Sequence, residues 1–333
     1  MKKYFVIALV GLLVAAAFWL FEPGFDPAVV DAKYTNAASQ FFSTDDNARV
    51  HYRDQGNPEG PPLVLVHGSN ASLHTWEPWI KLLGDTYRIV TMDLPGHGLT
   101  GAVPANRYDS VAQLQTVAAL TQHLGIKRFA LGGNSMGGGV TWRYALAHPE
   151  QISAMILVDA SGLSHWREES AASPESSTAR SDNDGPLAFR LLRKPWFRSI
   201  AVRLDTKSLT AQGLRAAFHD TSLVTDEMIE LYYNMSMRKG TRAATLARFA
   251  AFGSRDSDNR LTEADLSTLT MPTLVLWGET DAVIPVTYAN RFAQALPDAR
   301  VIVYPNVGHL PMEEIPQRSG TDALDFLQAE LNF

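Results

Sequence analysis

The chain is punctuated by short runs rich in apolar and β-branched residues. Leu63–Val66, Tyr87–Met92, Arg128–Leu131, Ile152–Val158, Pro272–Gly278 and Ala299–Tyr304 each run four to seven residues, with little or no polar alternation. Such runs mark strands covered on both faces in a parallel sheet, whereas Val50–Asp54 alternates as a half-buried strand does. Helical periodicity fills the gaps between them: Trp76–Leu83, Val140–Ala147, Val286–Leu296, Thr321–Leu331, and Tyr108–Leu124 with Val111, Leu114, Val117, Ala118 and Leu120 on one side. Residues 26–47 read as a partly helical lead-in that offers Ala38, Phe41 and Phe42 for packing. Strands alternating with helices predict an α/β fold with a doubly wound, mostly parallel sheet.

The alternation breaks once, after the strand ending at Asp159. Ser164–Gly185 is polar and loop-like, and from Pro186 to about Gly253 only helical patterns appear: Leu187–Leu204, Ala211–Phe218, Asp226–Met237 and Arg242–Phe252. This stretch reads as a helical cap inserted into the sheet domain. The expected organisation is an N-terminal segment (1–25), a first core part (26–162), the cap (163–262) and a second core part (263–333).

Tyr4–Phe21 holds no charged residue, follows Met1-Lys2-Lys3 and precedes Glu22-Pro23-Gly24. As a helix it would span about 27 Å, close to the thickness of a bilayer's hydrocarbon layer. Tyr4 and Trp19 stand near its ends, as interfacial aromatics do, and the lysines orient it with the short end in the cytoplasm. The competing reading is a signal peptide cleaved after Ala15-Ala16-Ala17, but the apolar character continues through Phe18–Phe21. Either way the bulk of the chain is expected outside the cytoplasmic membrane, anchored to it or secreted.

Composition narrows the chemistry. The 333 residues suffice for one large α/β domain with an insertion. A formal charge of −6 and the lack of a basic, aromatic-studded stripe argue against a nucleic-acid partner. No cysteine is present, which removes thiolate catalysis, disulfides and cysteine metal sites.

One stretch carries the chemistry. In Gly133-Asn134-Ser135-Met136-Gly137 a serine lies between glycines, after a strand and before a helix. That order describes a nucleophile elbow, a tight turn that lifts the serine hydroxyl clear of the sheet. A hydroxyl near neutral pH needs a base, and the base an orienting acid. His309, in the glycine-flanked loop after the last strand, is the expected base. Asp281, in an open loop beyond the preceding strand, is favoured as the acid over Asp159, which ends a buried strand; Glu279 is a third option. His67 and His97, both before Ser135, read as structural. The negative charge of an acyl-transfer transition state needs two N–H donors, expected from Met136 and from the loop after Val66, Ser69 first and Asn70 next.

Taken together, His67-Gly68-Ser69, Asp93-Leu94-Pro95-Gly96-His97-Gly98, the serine elbow, Trp277-Gly278-Glu279-Thr280-Asp281 and Gly308-His309 resemble the α/β-hydrolase superfamily. With Gly-Asn-Ser-Met-Gly-Gly and His74-Thr75-Trp76, the chain is most similar to small bacterial lipases and esterases of the family V type. It also shares the elbow with the carbon–carbon hydrolases that cleave aromatic ring-fission products. The resemblance implies Asp281 as acid and a serine hydrolase cleaving carboxylic esters through an acyl-enzyme, without metal or organic cofactor. Carbon–carbon hydrolysis, lactonase and peptidase activity of the same fold are alternatives. The expected partners are a small-molecule ester or lipid, and the membrane through the N-terminal segment. Leu187, Phe189, Trp196, Phe197, Tyr232 and Met235 are candidate acyl-pocket residues.

Overall fold

A computed structural model describes residues 21–166, 169, 200–251 and 260–331. Among these, eight strands form one sheet: β1 (Ser39–Ser43), β2 (Arg49–Gly56), β3 (Pro62–Val66), β4 (Arg88–Met92), β5 (Phe129–Asn134), β6 (Ile152–Val158), β7 (Thr273–Gly278) and β8 (Ala299–Tyr304). Their spatial order is β1-β2-β4-β3-β5-β6-β7-β8. The pairs β1–β2 and β2–β4 are antiparallel, and every other pair is parallel. The apolar runs behave as their composition demands: all six residues of β5 and of β7 are buried. Two apolar layers cover the two faces, one built around Trp142, Trp166, Trp277 and Phe292, the other around Trp76, Trp79, Phe326 and Leu327. The sheet is therefore doubly wound and mostly parallel, as its patterning predicts.

The helices are α1 (Pro27–Tyr34), α2 (Glu77–Leu83), α3 (Ser110–His123), α4 (Met136–Ala147), α5 (Lys207–Ala217), α6 (Asp226–Met237), α7 (Thr241–Ala251), α8 (Glu263–Leu266), α9 (Thr287–Ala295), α10 (Pro311–Glu314) and α11 (Pro316–Leu331). Several expectations need correction. Residues 39–43 form the edge strand β1 rather than a lead-in, because pairing with β2 overrides a local Ser-Gln-Phe-Phe-Ser pattern with no clear period. The buried face of α3 is rotated from the expected one: Val111 is 47% exposed, while Gln113 and Thr116 are buried. Both polar side chains are bonded internally, Gln113 Nε2 to Met136 Sδ at 3.3 Å and Thr116 Oγ1 to Ala112 O at 2.8 Å. Their burial therefore leaves no orphaned group. The closing helix α11 begins at Pro316, five residues before the expected Thr321. Proline is compatible with a first helical turn.

Between β6 and β7 the described chain is helical, with α5, α6 and α7 following one another. The chain before α1 joins this helical region rather than the sheet. Phe21 forms an isolated bridge with Leu204, and Glu22 N donates to Arg203 O at 2.7 Å. Phe25 N donates to Met237 O at 2.8 Å, and Lys239 N to Phe25 O at 2.9 Å. Asp31 in α1 then bridges both parts, accepting from Arg238 Nε at 2.9 Å and from Arg49 Nη1 at 3.0 Å. No helix among the described residues is long and apolar enough to cross a membrane. The Tyr4–Phe21 expectation falls almost wholly on residues 1–20, outside the described set, as do the cap residues Leu187, Phe189, Trp196 and Phe197.

Candidate active site

Ser135 occupies the turn between β5 and α4 with φ 54° and ψ −117°, a conformation that costs a non-glycine residue on the order of 1–3 kcal/mol. The surroundings hold it there. Ser135 N donates to Val158 O at 2.9 Å, and Ser135 O accepts from Ser161 N at 2.9 Å and Ser161 Oγ at 3.0 Å. The flanking glycines are a matter of space. A Cβ on Gly133 would stand 2.3 Å from the Gly137 carbonyl, and one on Gly137 would stand 2.2 Å from Val66 O. Either methyl would overpack backbone against backbone, which has no side-chain rotation to relieve it.

At the carboxyl end of β7, Asp281 Oδ2 lies 2.7 Å from His309 Nδ1. Asp281 Oδ1 is fixed by the amides of Val283 at 2.7 Å and Ile284 at 3.0 Å. With Nδ1–H donating to a carboxylate, the neutral imidazole carries its lone pair on Nε2. Ser135 and His309 line the same cavity of about 920 Å³. Ser135 Oγ makes no hydrogen bond among the described residues; such contacts commonly tighten only when substrate binds.

The competing acids separate by environment. Asp159 is fully buried and accepts from Gly278 N at 2.9 Å through Oδ1, with the Asp281 carboxylate as its neighbour. Burial, reinforced by the neighbouring Asp281 charge, pushes its carboxyl well above the usual range, which favours its protonated form. Glu279 is exposed.

Ser69 and Met136 also line the cavity. Met136 is the first residue of α4, where amides lack an intrahelical acceptor. Among the described residues neither its N–H nor that of Ser69 has an acceptor. His67 is buried and links two loops, donating from Nδ1 to Gly68 O at 2.7 Å and accepting from Leu94 N at Nε2 at 3.0 Å. Burial lowers its pKa, consistent with a neutral structural ring. Tyr232 lines the cavity, but Met235 does not: it packs with Val30 and Leu99.

The contacts by which several residues organise the site are not visible in the sequence. Asn134 Nδ2 donates to Val158 O at 3.2 Å and to His309 O at 3.1 Å, tying the elbow to the histidine loop. Glu314 accepts from Gly308 N at 2.8 Å, His219 N at 3.2 Å and Asp220 N at 2.8 Å. His309 N donates to Ala217 O at 2.6 Å. The C-terminal end of α5 is thus part of the histidine's support. Asp93, also buried, accepts from His51 Nδ1 at 2.7 Å, Leu73 N at 2.8 Å and Leu99 N at 2.8 Å. Only the glycine before His309 hinted at so close an approach. A Cβ there would lie 2.3 Å from Ala217 O.

Comparison with known proteins adds to this geometry. Residues 61–316 match the model of the family described as alpha/beta hydrolase fold. Lipase 1 of Psychrobacter immobilis is 27% identical over 285 residues, covering 80% of this chain and 76% of that one. A 2-hydroxy-6-oxo-6-phenylhexa-2,4-dienoate hydrolase of Comamonas testosteroni is 26% identical over 288 residues, 84% of this chain and 91% of its own. Among solved structures, a membrane phospholipase A described as a bacterial virulence factor aligns over 100% of both chains, at 26% identity and a TM-score of 0.66.

Proposed function

This chain belongs to the α/β-hydrolase family and is a hydrolase, and from that premise we propose that it cleaves carboxylic esters through an acyl-enzyme on Ser135. His309 is the base that takes the serine proton and returns it to the leaving alcohol, and Asp281 orients the imidazole and stabilises its charged form. The amides of Met136 and Ser69 receive the oxyanion. Water then attacks the acyl carbon as His309 takes its proton, and His309 returns that proton to Ser135 Oγ as the bond from Oγ to the acyl carbon breaks and the acid leaves. The observation that carries this reading is the strained Ser135 sharing one cavity with the His309–Asp281 pair.

Ester hydrolysis is favoured over cleavage of an anionic dienoate by the cavity wall. Leu209, Leu214, Leu246, Phe249, Val283 and Ile284 contribute apolar surface to it. Among the described lining residues the sole permanent cation is Arg242. Its guanidinium is already bound to the carbonyls of Leu204 at 2.5 Å and Glu22 at 2.6 Å, which leaves it poorly placed to recognise a substrate carboxylate. A p-nitrophenyl ester series from acetate to palmitate, run beside a 2-hydroxy-6-oxo-dienoate, tests this. Turnover of the esters with little or none of the dienoate is expected, and the opposite preference would replace the ester reading with carbon–carbon hydrolysis.

We further propose that residues 4–21 anchor the enzyme in the cytoplasmic membrane with the catalytic part outside. The full chain is then expected to sediment with membranes and resist carbonate extraction. Extraction by salt alone would end the anchor reading. The contacts of residues 21–25 refine where a soluble form should begin. Starting at Asp26 removes the partners of Arg203, Leu204, Met237, Lys239 and Arg242. Starting at Phe21 keeps them. Several backbone hydrogen bonds worth about 1 kcal/mol each are at stake. The chain starting at Phe21 is expected to melt several degrees above the one starting at Asp26, and equal melting temperatures in calorimetry would contradict this.

A further inference from the structure

We propose that Arg248 is a positioning residue for the oxyanion loop, a link through which the cap sets the geometry of the Ser69 amide. The inference rests on the ester-hydrolase reading above. Arg248 lies on α7, in the helical region, yet its side chain is 4% exposed and reaches the sheet domain. Its Nη2 donates to Asn70 Oδ1 at 2.9 Å, and its Nη1 contacts His97 Nε2. Among the described residues no carboxylate pairs with it and its Nε has no partner. Burying a guanidinium without a counter-charge is unfavourable, and an apolar residue of similar length would fill the space at lower cost. Its presence there therefore points to a role beyond packing.

Asn70 lies in the oxyanion loop itself, and His97, in the loop after β4, reaches it through His67. Asn70 adjoins Ser69, has φ 61° and lines the cavity. His97 donates from Nδ1 to Pro95 O at 3.1 Å, so its Nε2 is free to accept from Arg248. Burial, then the Arg248 charge, lowers the His97 pKa well below the ordinary value, which keeps that lone pair available. The His97 ring packs at 4.9 Å against His67, and His67 holds Gly68 O. Ser69 is thus gripped on both sides, through Gly68 by His67 and through Asn70 by Arg248. The uncompensated positive charge has the sign that favours a developing oxyanion.

The test uses the full chain with p-nitrophenyl butyrate and reads kcat, KM and melting temperature for R248M, R248K, N70G and the double variant R248M/N70G. Glycine at 70 removes the acceptor while tolerating the positive φ. R248M and N70G are each expected to lower kcat about 10- to 100-fold with KM within about twofold, as loss of an oxyanion interaction does. R248K should recover part of kcat, because it restores the charge but not the two-acceptor fork. The double variant should be no worse than the poorer single one, since both cut one link. Unchanged kcat, a loss confined to KM, or additive losses in folded variants would overturn the proposal. Should R248M fail to fold, N70G decides alone by the same criteria. Ser135→Ala, run in parallel, separates the failures: turnover surviving there defeats the ester-hydrolase reading, whereas an inactive Ser135→Ala beside fully active R248M and N70G defeats only the Arg248 link.

Discussion

Ser135→Ala is expected to fold normally and to lose ester hydrolysis by on the order of 10⁵–10⁶-fold, the size of effect seen when a nucleophile that works with a base and an oxyanion site is removed. Folding should survive because the features that hold the turn are backbone features. Ser135 N and O bond to Val158 and Ser161, and the close glycine packing does not involve the hydroxyl. Relief of the serine's strain is not expected, since alanine has the same Cβ and the same penalty at φ 54°. An organophosphonate should add one equivalent to the native chain and none to the variant, read by intact mass. Native turnover in the folded variant would remove Ser135 from the mechanism.

The second large effect separates two aspartates that stand side by side. Asp281→Asn is expected to lower kcat about 10³–10⁴-fold, because an amide in place of the carboxylate favours the wrong imidazole tautomer and cannot stabilise the imidazolium. Asp159→Asn should leave kcat within about tenfold, since asparagine reproduces a neutral acid and can keep the acceptor for Gly278 N. Its signature lies in stability. Asp159 has a raised pKa in the folded state, so the native chain holds more protons than the unfolded chain between the two values. The contribution of its protonated form is complete below pH about 4 and is lost as pH rises through the folded pKa. Asp159→Asn is free of that loss, so its melting temperature should gain on the native chain with rising pH above about 4. A parallel pair of Tm–pH curves would show that Asp159 is not held neutral, and a kcat loss at Asp159 exceeding that at Asp281 would exchange their roles.

Much of this was legible in the sequence because the relevant signals are local. A strand covered on both faces must be apolar along its covered length, as Ala154–Val158 is, and a strand-to-helix turn with backbone pressed against backbone must be glycine-flanked, as at Gly133 and Gly137. The preference for Asp281 over Asp159 came from loop position, and in the structure the 2.7 Å contact to His309 Nδ1 belongs to Asp281. What remained hidden is long-range. Glu314, Asn134, Asp93 and Arg248 make contacts to partners up to 178 positions away in the chain. A buried glutamate that ties Gly308 to the end of α5 leaves no periodic trace. Edge strand β1 was missed for a related reason: its identity comes from the neighbouring strand, and Ser-Gln-Phe-Phe-Ser alone does not specify it.

Asp31 accepts from Arg238 of the helical region and from Arg49 of β2, while among the described residues the hydrogen bonds that residues 21–25 make to other elements go to the helical side. Whatever holds the chain upstream of Phe21 therefore grips the roof of the cavity and not its floor. In mechanical terms the roof is the fixed frame. A load applied to the N-terminus therefore falls on the roof's hydrogen bonds before it reaches Ser135.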